Sequence, residues 1–371
     1  MKLMLVLGAR PQIIKSAPLI HEILKESGIE LQLVHTGQHY DYEMSKTFFD
    51  ELELPGPLVN LGVGSGSHAS QTGRMMIGLE KAMLKCKPEV VVVPGDTNST
   101  LAGALAAVKL HLPVAHLEAG ARSYDLRMPE EVNRRLTDHC SQLLFASTEN
   151  CVRNLSKEGL SKDCVCLTGD TMYDALLQHL PKALKDDILE KLDLEMETYG
   201  VLTLHRPENV DDPRKLENIM RVMMTMKDLI IVFLVHPRTK KMLRAAGLWK
   251  SLEKARHFRL AAPVRYHSML GLIKNAKIVF TDSGGMQKEA FWLHTPCVTI
   301  RETTEWVETV QLGANTLAKN GESIIQKARE FLTTENLKDK LGKLPNPFGD
   351  GQASAKVIDS LKRFAHARSS V

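Results

Sequence analysis

The feature that most narrows what this chain can fold into is a rhythm. Short β-branched apolar runs alternate with helix-length segments from one end to the other. The runs are 3–7 (LMLVL), 31–35 (LQLVH), 90–93 (VVVV), 113–117 (PVAHL), 143–147 (LLFAS), 201–204 (VLTL), 230–235 (IIVFLV), 277–281 (KIVFT) and 296–300 (PCVTI). Most are apolar at consecutive rather than alternate positions, as strands of a parallel sheet must be when helices cover both faces. Segments such as 98–110, 214–227 and 323–333 supply the helices. The pattern predicts an α/β, doubly wound fold. The strands are too many for one sheet, and the rhythm restarts after HLPKALKDDILEKLDLEMETYG (179–200), which reads as charged, helical and free of strand. Two domains therefore follow, divided near residue 170, and 371 residues is a length that suits two cores.

Composition excludes several classes. With 43% apolar and 25% charged residues the chain is globular. Its formal charge of +4 is small, and no run of like charges exists to argue for nucleic acid. Six cysteines show neither CxxC pairs nor zinc spacing, so reduced, mostly buried thiols are expected, with no metal. No apolar run reaches membrane-spanning length, and the start MKLMLVLGARPQ lacks the form of a signal peptide. The expectation is a cytoplasmic protein without a membrane partner.

In doubly wound sheets ligands sit beyond the carboxyl ends of strands. Those ends carry the ionisable and glycine residues: GARPQIIK after 3–7, TGQH after 31–35, PGDTNST after 90–93, HLEAGAR at 116–122. Arg10 and Lys15 flank a helix start marked by Pro11, where free amides can hold an anion; an ordinary βα turn with surface cations is the plainer alternative. Asp96 can cap the next helix or serve the crevice, and Glu130 can simply oppose a helix dipole. Three acids (Asp96, Glu118, Glu130) at one crevice would instead suit general acid–base chemistry, because proximity splits their proton affinities. In the second half, His205 and Arg206 end a strand. An isolated histidine there is more often structural than a phosphate or proton contact. VFTDSGGMQKEA (279–290) places Ser283, Gly284 and Gly285 between a buried strand and a helix, where amides can approach a phosphate, with Glu289 one turn on for ribose hydroxyls. GVGSGS (62–67) has the wrong spacing for a dinucleotide fingerprint and reads as a mobile glycine loop.

Eight pieces occur in a fixed order: GARPQIIK, TGQH, PGDTNST, HLEAGAR with MPEE and NRR, LTLHRPEN, TDSGGMQKEA, RETTEW and NPFGDGQAS. Together they resemble the non-hydrolysing UDP-N-acetylglucosamine 2-epimerase family across nearly the whole chain. The resemblance implies two Rossmann-like domains, 1–170 and 171–351, in a GT-B-type arrangement. It also implies an active site in the interdomain cleft, a helix at 352–371 returning to the first domain, and a homodimer. It implies 2-epimerisation of a UDP-sugar for surface glycan synthesis, by elimination and re-addition of UDP, without a cofactor. Carried over by motif, Asp96, Glu118 and Glu130 look like the proton-moving carboxylates. Arg10 and Lys15 look like phosphate and sugar contacts, and His205 like the group facing the leaving phosphate. Ser283, Gly284 and Gly285 look like the diphosphate cradle, and Glu289 like the ribose ligand.

Departures from the family pattern are Gln12 for a usual glutamate, Pro207 in HRPEN, and Trp306 where a ligand-contacting arginine is usual. RSYDLRMPEE is similar to the subgroup acting on UDP-2,3-diacetamido-2,3-dideoxyglucuronic acid. Other readings are a GT-B glycosyltransferase, which needs an acceptor site, a hydrolysing epimerase, and a non-catalytic nucleotide-sugar-binding regulator.

Overall fold

The computed structural model of the chain describes residues 1–38 and 48–369. His39 of the TGQH motif and the YDYEM that follows therefore lie outside the described residues, as do the last two positions of the expected terminal helix. The chain forms two compact units, one of Met1–Gln178 with the segment from Asn346 onward, the other His179–Pro345.

Each unit is built on one parallel sheet. The first contains β1 (Lys2–Leu7), β2 (Glu30–His35), β3 (Val59–Asn60), β4 (Val90–Pro94), β5 (Val114–Ala119), β6 (Leu143–Ala146) and β7 (Val165–Leu167), in spatial order β3-β2-β1-β4-β5-β6-β7. The second contains β8 (Tyr199–Thr203), β9 (Ile230–Leu234), β10 (Phe258–Ala261), β11 (Ile278–Thr281), β12 (Cys297–Thr299) and β13 (Asn315–Leu317), in order β10-β9-β8-β11-β12-β13. Strand order reverses beside β1 and β4 in one sheet and beside β8 and β11 in the other. In a doubly wound sheet that reversal opens the ligand crevice. The central strands are sealed on both faces: Leu3 to Leu7 and Val91 to Val93 expose nothing to solvent.

All nine expected strands form. The structure adds four, β3, β7, β10 and β13, and these are the four sheet edges. These edge strands are only two to four residues long (VN, VCL, FRLA, NTL), too short for an apolar run to mark them. The stretch 179–200 is not wholly free of strand, because Tyr199 and Gly200 already pair with Ile230 and Ile231.

The division between units falls at 178/179, inside the helix Thr171–Ala183, and the chain re-enters the first unit at 346. The reason is local. Asp174 accepts from the backbone N–H groups of Ala353 and Ser354 at 3.2 and 2.7 Å, satisfying orphan donors at the start of the helix Ala353–Ser369. That helix packs on Arg10–Lys25.

Among the described residues no disulfide forms; Cys151 and Cys297 are buried and the other four cysteines are half-buried, fewer buried than expected. Among the described residues no helix is long and apolar enough to cross a membrane.

Candidate functional site

In the first unit, the strand ends converge as the doubly wound order requires. Glu118 is an extra residue in β5: Leu117 pairs with Phe145 and Ala119 with Ala146, so the register shifts by one residue at Glu118. Its φ is 71°, a left-handed conformation that a glutamate adopts at a cost of about 1 kcal/mol or more. The bulge turns its carboxylate onto the Lys15 amine at 2.7 Å, both side chains about nine-tenths buried. Lys15 comes from the helix after β1. Room for it is left by Gly95, where a Cβ would stand 3.1 Å from the Lys15 nitrogen.

Asp96 follows Gly95. Thr97, not Asp96, caps the helix Asn98–Lys109, accepting from Thr100 N–H. Asp96 is thereby released to meet Arg134, whose Nη1 donates to its Oδ2 at 3.2 Å, while Asn133 Nδ2 donates to its carbonyl at 2.9 Å. Burial raises the Asp96 pKa; Arg134 and Lys15 pull it down, and the charges of Glu130 and Glu118 push it further up. Asp96, Glu118, Glu130, Lys15 and Arg134 thus share one electrostatic neighbourhood. The two adjacent acids at 130 and 131 separate in role. Glu131 is fully buried and accepts from Ser123 N and Oγ, with Arg134 and Arg135 beside it. Glu130, half-buried, is the one within reach of Asp96 by charge.

Arg10 sits about 140° around the helix from Lys15, five residues away, and its guanidinium lies over the Phe48 ring at 4.5 Å. The amides expected to receive an anion at that helix start are also engaged, since Gln12 Oε1 accepts from Gly8 and Ala9 N–H at 2.9 and 3.1 Å. Gln12 Nε2 donates to the Pro94 carbonyl and to Thr100 Oγ1, so it ties two of the crevice turns together. A glutamate at 12 lacks that donor. The 62–67 glycine loop, expected to be mobile, is anchored: Val63 and Gly64 N–H donate to the carbonyls of Thr36 and Gly37.

In the second unit the organising group is Asp282, which follows β11. It is fully buried and accepts from His205 N, Arg206 N, Asn209 Nδ2 and His205 Nδ1, all at 3.0–3.2 Å. Burial pushes its pKa up, but His205 and these donors outweigh burial and hold it at about 2. The carboxylate fixes Nδ1 as the His205 donor, leaving Nε2 for other partners on a side chain 43% exposed. Ser283 is the N-cap of the helix Gly284–Trp292, and its hydroxyl makes no cap hydrogen bond. A Cβ at Gly284 would stand 2.3 Å from the Glu305 carboxylate, so a larger residue there requires that side chain to shift. Glu289 is buried one turn into the helix. Trp306 is 2% exposed and lies under the Lys288 amine, 3.8 Å from the ring centroid.

The structure adds Asn133 and Arg134, from NRR, and Asp282, beside Ser283, to the residues that the sequence alone points to. Their signal was adjacency alone. Among the described residues no group of three or more His, Cys, Asp and Glu side chains could hold a metal ion.

The family model described as UDP-N-acetylglucosamine 2-epimerase matches residues 21–362. The UDP-N-acetylglucosamine 2-epimerase of Methanocaldococcus jannaschii is 45% identical over 367 residues, 97% of this chain and 99% of the relative. A Pseudomonas aeruginosa protein named UDP-2,3-diacetamido-2,3-dideoxy-D-glucuronate 2-epimerase is 40% identical over 368 residues, 98% of this chain and 100% of the relative. Among solved structures, that of the Methanocaldococcus jannaschii UDP-GlcNAc 2-epimerase in complex with UDP-GlcNAc and UDP superposes with a TM-score of 0.92 at 44% identity, covering 98% of this chain and 100% of that one.

Proposed function

The chain belongs to the UDP-N-acetylglucosamine 2-epimerase family, and on that premise we propose that it interconverts UDP-GlcNAc and UDP-ManNAc. The hydrogen on C2 of the hexose has no neighbouring carbonyl and is not acidic, so simple deprotonation cannot invert that carbon. Elimination solves the problem. A carboxylate removes the C2 proton, the C1–O bond breaks with its electron pair leaving on UDP, and a C1=C2 double bond forms. Re-addition of UDP at C1 with a proton delivered to the opposite face of C2 gives the epimer, and no redox cofactor enters the balance.

The observation that carries this reading is the acid cluster of the first unit. Asp96, Glu118 and Glu130 lie together with Lys15 and Arg134, and the Asp96 pKa is raised. Carboxyl groups held in different protonation states can remove a proton and return one. Lys15 and Arg134 temper the charge of the three acids and favour an ionised base. In the second unit, the free face of His205 and the Ser283–Gly285 turn are assigned to the departing diphosphate, and Glu289 to the ribose. Arg10 is kept as a contact to the ligand's phosphates.

The 40% identical Pseudomonas relative supports a second substrate, the 2,3-diacetamido glucuronate analogue. We assign the enzyme to the cytoplasm and to surface glycan synthesis. We also assign it a homodimer, supported by exposed apolar residues at helical spacing: Ile77 with Leu84, and Val132 with Leu136.

Incubation with UDP-GlcNAc in deuterated water tests the reading. Deuterium at C2 of a sugar still attached to UDP is expected. Absence of exchange with either UDP-sugar overturns it, and release of free sugar replaces it with a hydrolysing activity.

A further inference from the structure

His116 lies in β5, two residues before Glu118, with its side chain wholly inaccessible to solvent. Ring Nε2 stands 2.7 Å from the Gly95 carbonyl, which can only accept, so Nε2 carries a hydrogen. Ring Nδ1 stands 2.6 Å from Asp138 Oδ1. The second oxygen of Asp138 accepts from Arg122 Nη2 at 2.6 Å and from Gly120 N–H at 3.1 Å. Arg122 then forks onto Glu158, with both N···O distances 2.8 Å. From the outer side, His139 approaches Glu158 at 3.5 Å.

The partners of the ring decide its state. Both ring nitrogens face acceptors, the Gly95 carbonyl at 2.7 Å and Asp138 Oδ1 at 2.6 Å. Asp138 is held as a carboxylate by the Arg122 and Gly120 donors on its other oxygen, while Arg135 adds positive charge on the Glu158 side. Burial pushes the Asp138 pKa up, but His116 and Arg122 more than reverse this and hold it below the usual carboxylate range. The hydrogen between the two groups therefore belongs to the imidazole.

We infer that His116 is a positioning residue for the epimerisation, held with hydrogens on both ring nitrogens between Asp138 and the Gly95 carbonyl so that it locks the two turns carrying Asp96 and Glu118. Gly95 immediately precedes Asp96, and its own N–H donates to the Leu117 carbonyl at 3.0 Å. Gly120 N–H, two residues after Glu118, is held by the same Asp138. The turn at Glu118 is strained, with φ of 71° on a residue that carries a side chain. Such a conformation persists only where its surroundings over-determine it, and this network supplies that from beneath. The inference rests on the assignment of Asp96 and Glu118 to proton transfer at C2.

Nitrogen-15 spectra of histidine-labelled protein at neutral pH, with His116 identified by its loss in a variant, are expected to show two protonated-type ring nitrogens. A neutral ring overturns the inference, whatever the variants do to turnover. His116→Gln keeps a donor toward Gly95 but none toward Asp138; His116→Asn does the reverse. Asp138→Asn keeps an acceptor for Gly120 and removes the counter-charge. Each is expected to leave KM for UDP-GlcNAc little changed, to lower kcat by about a hundredfold, and to displace the acid limb of the kcat pH profile. A variant with the parent kcat and pH profile overturns the inference, as does a loss confined to KM. The two readings fail separately. If the parent protein does not exchange C2 hydrogen, the proposed activity falls. If parent and variants exchange at one rate, only the positioning role falls.

Discussion

Replacing Asp282 by asparagine tests the core of the second unit. Asparagine matches aspartate in shape but carries an N–H₂ on one side. Oδ2 of Asp282 receives the amides of His205 and Arg206 at 3.0 Å each, and Oδ1 receives His205 Nδ1 at 3.0 Å and the His205 amide at 3.2 Å. Either orientation sets at least one donor against another. The carboxylate's own contribution follows from its proton affinity. A fall from 3.8 to about 2 corresponds to roughly 2–3 kcal/mol. The folded pKa is below the unfolded one, so this stabilisation is fully present above 3.8 and disappears as pH falls past about 2. About half of it survives at pH 3. Trp249, Trp292 and Trp306, the three tryptophans of the chain, all lie in the second unit, so urea unfolding followed by their fluorescence reads that unit alone. Asp282→Asn is expected to lose about 2–4 kcal/mol at pH 7, with the gap to the parent narrowing towards pH 3. It also removes the acceptor that orients the His205 ring, so turnover should fall with the diphosphate as leaving group. A variant within about 0.5 kcal/mol of the parent at pH 7, or a gap that does not depend on pH, refutes the reasoning.

Three further outcomes follow from the first unit. Lys15→Met leaves the largely buried Glu118 carboxylate without its 2.7 Å partner and should cost about 3–5 kcal/mol together with most of the activity, measured by thermal unfolding and initial rates. Asp96→Asn should separate stability from function. Burial raises the Asp96 pKa, so ionisation opposes folding above the unfolded value, and the neutral variant should melt no lower than the parent while turnover drops by about a hundredfold or more. At Glu118, glycine should be about 1 kcal/mol more stable than alanine, because φ is 71°. Equal stability of Glu118→Gly and Glu118→Ala would show that the bulge carries no strain.

The interior of both sheets was legible because strands covered on two faces must be apolar throughout, and β1, β4, β9 and β11 are. The edges β3, β7, β10 and β13 were silent for the converse reason: Val59–Asn60 and Val165–Leu167 are short, and half their surroundings are polar or solvent. Position along the chain also made the acids of the first crevice readable, since Asp96 and Glu118 follow strands directly. Geometry perpendicular to the chain was not readable. Nothing in PEEVNRR distinguishes Glu131, which holds Ser123, from Glu130, which faces Asp96. Nothing in GARPQIIK shows Gln12 occupying the amides that Arg10 and Lys15 were expected to share with an anion. Both outcomes depend on a helical face and on what the neighbouring turn offers.

The two units contain the same chemical pair in opposite settings. Asp138 meets His116 at 2.6 Å with neither side chain exposed, and Asp282 meets His205 at 3.0 Å with the aspartate sealed and the histidine 43% exposed. In both, a buried carboxylate also gathers backbone N–H groups, Gly120 in one case and His205 and Arg206 in the other. Exposure alone sorts their work. A histidine whose second nitrogen ends on a backbone carbonyl has no valence left for a ligand and can only hold a turn in place. One whose second nitrogen faces outward is oriented by its aspartate and remains available to a phosphate. Exchanging a hydrogen-bonding partner at the first should therefore show itself in kcat through displaced carboxylates, and at the second through the affinity and departure of the nucleotide.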